Sequence, residues 1–96
     1  MNRIAKAIAT AVVTLGIAAG SAASANATVV PVGGGTWNYG VGGIVWSNYY
    51  HGSKVHGSTA CSGVRCVASP WTPQGRWSYA STSATLAGNT AYWRVS

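Results

Sequence analysis

Between residues 36 and 95 the chain never sustains a helical period, because glycines, prolines and short polar turns interrupt it at close intervals. The stretches between these breaks alternate instead. Thr36-Trp37-Asn38-Tyr39-Gly40-Val41 sets Trp37, Tyr39 and Val41 against Thr36, Asn38 and Gly40, the period of a half-buried strand. Gly42-Gly43 predicts a tight turn, and residues 44–50, rich in β-branched and aromatic types, a second strand. His51-Gly52-Ser53 turns the chain into a third strand over 54–61. Residues 62–65 have the length of a hairpin loop, and Cys66 opens a fourth strand. Pro70 and Pro73 exclude residues 70–75 from a central ladder. Residues 76–82 and 91–95 alternate again, Tyr92 and Arg94 facing one way and Trp93 and Val95 the other. Residues 28–35, with Pro31 and Gly33-Gly34-Gly35, read as a flexible lead. Short strands at this spacing predict an all-β, small antiparallel β-sandwich or barrel.

The first residues obey a different rule. Arg3 and Lys6 form a basic start, residues 7–20 are apolar or small apart from Thr10 and Thr14, and Ala25-Asn26-Ala27 follows. That order is a secretory signal peptide over residues 1–27, with a domain over 28–96 and cleavage after Ala27, or after Ala25 as second choice. A membrane anchor is the alternative, but its bulky apolar part falls short of the roughly 20 residues a stable span needs. The chain is therefore read as secreted, to the extracellular space.

A domain this small has a marginal core. Two features offset that. All five Trp and all five Tyr follow the leader, each able to bury about 150–250 Å²; Trp37, Trp46 and Trp77 are assigned to the core. Cys61 and Cys66 form an even pair in an exported chain, which reads as a disulfide closing a short loop.

The chain contains no Asp or Glu. Once the leader is gone, Lys54, Arg65, Arg76 and Arg94 have no acidic partner within the chain, so their field is available to an anionic ligand. Four cations without a polybasic stripe do not suit nucleic acid. Catalysis by a Ser-His-Asp triad or by paired carboxylates lacks its acid, and no enzyme is expected.

The run Ser47-Asn48-Tyr49-Tyr50-His51-Gly52-Ser53-Lys54-Val55-His56 concentrates what chemistry remains. His51, His56, Cys61 and Cys66 fall five residues apart and include a zinc-like donor set. In an extended strand, however, side chains five apart point to opposite faces, and exported thiols oxidise in pairs. Neither a metal nor a cofactor is expected. Binding is left. Lys54 supplies a point charge for phosphate, His51 and His56 protonatable donors, and Tyr49 and Tyr50 rings suited to a sugar or a membrane interface. Arg65 and Arg76 add longer-range attraction.

Gly35-Thr36-Trp37, Tyr39-Gly40-Val41 and the run from Ser47 to His56, with Gly75-Arg76-Trp77 and the closing Ala91-Tyr92-Trp93, strongly resemble the lactococcin 972 family of bacteriocins. The resemblance implies a secreted antibacterial protein folded as two three-stranded antiparallel sheets. It implies binding of the cell-wall precursor lipid II at the outer leaflet of the target membrane, and a block of septum formation in related Gram-positive bacteria. Cognate export and immunity partners are implied as well. Cys61, Cys66 and the Pro70/Pro73 loop depart from the family pattern. The residues alone also suit a non-toxic carbohydrate- or wall-binding module, a membrane-disrupting cationic peptide, or a small inhibitor of an extracellular enzyme.

Overall fold

The computed structural model describes residues 8–15 and 26–96, all as strands and connecting turns. Eight strands follow in chain order: β1 Ile8–Leu15, β2 Asn26–Val32, β3 Gly35–Val41, β4 Ile44–His51, β5 His56–Cys61, β6 Cys66–Ala68, β7 Arg76–Ser83 and β8 Asn89–Val95. They make two antiparallel sheets, in the orders β1-β8-β5-β6 and β2-β3-β4-β7. The all-β reading holds. The expectation of three strands in each sheet is corrected, since each sheet has a fourth.

One extra strand is β2. In place of the expected flexible lead, residues Thr28 to Val32 pair along β3 from Thr28↔Tyr39 to Val32↔Gly35. The reason lies in the glycines. Gly33 and Gly34 both take positive φ, 60° and 84°, the requirement of a two-residue hairpin turn that matches the twist of its strands. Gly35 is small for another reason: a Cβ there would overlap the carbonyl of Tyr50. Pro31 is compatible because β2 is an edge strand. The other extra strand, β1, lies within the expected leader and pairs antiparallel with β8. The remainder of the leader, residues 1–7 and 16–25, lies outside the described residues. So does Ala25 of the expected cleavage motif.

Residues of both sheets share the interior. Trp37, Tyr39 and Tyr49 from β3 and β4 cluster with Ala91, Trp93 and Val95 of β8, and Val41, Val45, Ala60 and Ala80 form a second cluster. Completely burying a side chain of the size of valine or larger contributes about 1.5–3 kcal/mol. The interior also holds buried polar groups: the Trp93 indole Nε1 is buried without a hydrogen-bond partner, whereas the buried serines are hydrogen-bonded. Ser47 accepts from the Trp37 indole at 2.9 Å and donates to the carbonyl of Tyr92 at 2.7 Å. Ser58 and Ser78 meet at 3.0 Å, and Ser78 donates to the carbonyl of Tyr49.

The core assignment holds for Trp37, which is fully buried. It is corrected for Trp46 and Trp77, which are half-buried and exposed. On β7 the inward positions belong to Ser78, Ala80 and Thr82, small residues that let the sheets approach, while Trp77 and Tyr79 face out.

Candidate functional site

The sequence patch separates into an interior part and an exposed part. Tyr49 is fully buried, His51 is 4% exposed and His56 is fully buried, because alternation along β4 turns Tyr49 and His51 inward while Asn48 and Tyr50 face out. Tyr49 packs its ring against Trp93 and His56, at centroid distances of 5.3 and 5.6 Å. Its hydroxyl donates to the carbonyl of Val32 at 2.8 Å. Burial pushes that hydroxyl's pKa up to about 12, with the backbone of Gly35 working weakly the other way. Tyr49, His51 and His56, expected as ligand contacts, thus lie in the interior.

What the two imidazoles hold is the loop that carries Lys54. The backbone N–H groups of Ser53 and Lys54 both donate to His51 Nδ1, at 3.1 and 3.0 Å. Nδ1 is thus the acceptor, and Nε2 carries the hydrogen that faces the carbonyl of Gly33 at 3.1 Å. His56 does the converse. Its Nδ1 lies 2.8 Å from the carbonyl of Lys54 and its Nε2 2.7 Å from the carbonyl of Arg76. Carbonyl oxygens only accept, so both contacts are hydrogen bonds only when both ring nitrogens carry hydrogen. The Pro70–Gly75 loop is tied to the same point, Thr72 exchanging two backbone hydrogen bonds with His56 at 2.7 and 3.0 Å. Gly75, at φ 82°, donates its N–H to the carbonyl of His51.

The result is that Lys54 and Arg76, both exposed, emerge at one end of the molecule on either side of one buried ring. The rung His51↔Arg76 is followed by Tyr50↔Trp77. Those two rings lie 5.5 Å apart on the outer face. The two cations leave from backbones beside the His51 rung, and the aromatic pair sits one rung away on the outer face, with no carboxylate side chain anywhere in the chain. Sequence reasoning named Lys54, Tyr50 and Arg76 but missed Trp77. The small, inward-fitting residues that alternate with it were the available signal.

Arg65 is not part of this end. It lies in the β5–β6 turn, where Ser62 Oγ accepts from the N–H groups of Val64 and Arg65. The turn is closed by the Cys61–Cys66 disulfide, whose residues are directly opposed in the hairpin. That is the opposite end of β5 from His56. Nor is Arg94 free. Its guanidinium donates to the carbonyls of Ser58 and Ser69, at 3.1 and 2.6 Å, and to Thr59 Oγ1 at 3.2 Å. It also lies 4.8 Å from the centroid of Trp71, a cation–π distance. Burial lowers its pKa from the ordinary guanidinium value.

Comparison with known proteins adds one assignment. The family model described as Bacteriocin (Lactococcin_972) matches residues 33–93, which run from the turn before β3 into β8 and include both Lys54 and Arg76. No curated protein and no solved structure matches the chain.

Proposed function

Because the chain belongs to the lactococcin 972 family of bacteriocins, we propose that it acts as a secreted antibacterial protein that sequesters an anionic, sugar-bearing cell-wall precursor of the lipid II type. The protein leaves its producer after removal of residues 1–27 and folds as a small β-sandwich. At the outer leaflet of a related Gram-positive cell it withholds the precursor, and septum formation stops. Export and immunity partners accompany it.

The observation that supports this reading is the paired end. The His56 ring nitrogens lie 2.8 and 2.7 Å from the carbonyls of Lys54 and Arg76, and the Tyr50–Trp77 rings lie one rung away. A pyrophosphate needs two or more cationic donors at short range; Lys supplies a point charge and Arg a planar fork. A sugar next to that phosphate meets the aromatic pair. His51 and His56 contribute by positioning the loop, and Arg65 contributes only to the long-range field.

The test is a comparison of the wild type with Lys54→Ala/Arg76→Ala on a sensitive bacterium. The double variant folds normally by circular dichroism, since both side chains are exposed, yet loses killing and no longer produces cells without septa. Undiminished killing by the double variant rejects the paired end as the binding site.

A further inference from the structure

Beyond the Tyr50–Trp77 row, the outer face of the β2-β3-β4-β7 sheet carries a second arrangement that the precursor reading does not use. Register aligns four rows across it: Pro31, Thr36, Tyr50 and Trp77; then Val29, Asn38, Asn48 and Tyr79; then Gly40, Trp46 and Ser81, with Ala27, the last residue of the expected leader, beside Gly40; and last Ile44 with Ser83. No outward position is charged. Two amides, Asn38 and Asn48, sit side by side at its centre, with Trp46 in the next row and Tyr79 beside them. A depression of about 440 Å³ opens here, with Asn38, Trp46, Asn48 and Tyr79 in its lining, within the size range of small-molecule sites.

The details favour a ligand over a bare surface. Trp46 stands opposite Gly40, so no β3 side chain covers its ring from that rung. Its indole donates to Asn38 Oδ1 at 2.8 Å, which fixes the amide and leaves its NH₂ as donor. Asn48 offers both a donor and an acceptor between two rings. Tyr79 is 67% exposed, an unusual position for an aromatic that merely fills space.

We infer that this face is a binding platform for an uncharged oligosaccharide. The C–H faces of a pyranose ring are apolar and stack on Trp46 and Tyr79, while neighbouring hydroxyls, each both donor and acceptor, match the paired amides of Asn38 and Asn48. An anionic ligand finds no cation on this face. An apolar one, whether an acyl chain or a second copy of the protein, would bury the central amides without partners, which is costly. The inference is independent of the precursor reading, since it requires neither a phosphate nor the Lys54–Arg76 end.

The experiment is a titration of the purified protein with chitotetraose and, separately, cellotetraose, both uncharged, followed by tryptophan emission and by the NMR signals of the Trp46 indole and the Asn side-chain amides. At least one sugar at millimolar concentration shifts the Trp46, Asn38 and Asn48 signals. Asn48→Ala and Tyr79→Ala each weaken that binding about tenfold or more, whereas Lys54→Ala/Arg76→Ala leaves it unchanged. Silence with both sugars overturns the inference. So does binding that survives Asn48→Ala and Tyr79→Ala, or a dimer by sedimentation that buries this face. Loss of binding only in Lys54→Ala/Arg76→Ala also overturns it and returns the sugar to the cationic end.

Discussion

Lys54 and Arg76 present their backbone carbonyls to opposite nitrogens of a single buried imidazole, that of His56, at 2.8 and 2.7 Å. Lys54 lies in the β4–β5 connection and Arg76 opens β7. A ring between the two sets how far apart the backbones that carry these cations lie. The geometry of the proposed binding end is thus set by a residue that never touches solvent.

Removing that bridge has a large structural effect. His56→Ala removes the ring that both carbonyls contact and opens a cavity against Tyr49, for an expected loss of about 2–4 kcal/mol. Chemical denaturation measures it. Lys54→Ala, at an exposed position, is expected to change stability by less than about 0.5 kcal/mol. An equal effect of the two substitutions contradicts the framework role of His56.

Tyr49 gives the fold an alkaline limit. Its pKa is raised from 10.0 to about 12 by burial. The folded state therefore holds the phenol proton more tightly than the unfolded chain does. The contribution is complete below pH 10 and is lost as pH rises toward about 12. Denaturant midpoints fall across that window, and ultraviolet titration shows one tyrosine ionising late. Tyr49→Phe removes the late step and flattens the fall.

Gly57 is required by Arg94. A Cβ at position 57 would overlap the guanidinium, which crosses β5 to reach the carbonyls of Ser58 and Ser69. Gly57→Ala displaces it, with an expected loss of about 1–3 kcal/mol. A change in Trp71 emission accompanies the loss, because the cation leaves its ring. Wild-type stability and emission in Gly57→Ala contradict this.

The strand pattern was legible because it depends on alternation and turn residues, which are local. Trp37, Tyr39, Val41 and the closing Trp93 and Val95 lie inside as their spacing predicts. The failures have a common source. Aromatic residues are usually buried, so Trp46 and Trp77 were placed in the core, whereas this interior selects serine and alanine on β7 to bring the sheets together. Histidine and lysine adjacent in sequence looked like one patch. Strand alternation and a turn put the imidazoles inside and the amine outside. The β2 strand was obscured by Pro31 and three glycines, whose meaning depends on an edge position and a turn geometry that only the assembled sheet supplies. The partnership of Lys54 with Arg76 is a tertiary relationship, and no local signal carries it.

On the proposed reading, the disulfide stabilises the fold and takes no part in binding. Cys61 and Cys66 close a short loop at the end of β5 away from His56, so chain entropy assigns the bridge about 2 kcal/mol. Cys61→Ser/Cys66→Ser lowers the denaturation midpoint and leaves killing intact when measured well below that midpoint. Lost killing in a folded double variant would move the active surface to the Arg65 end.

The most direct measurement is binding of the purified protein to vesicles of identical lipid composition with and without lipid II. The account predicts binding only when lipid II is present, weakened about tenfold or more by Lys54→Ala/Arg76→Ala and reduced as salt screens the charges. Equal binding to both kinds of vesicle, or lipid II binding that the double variant leaves unchanged, contradicts it.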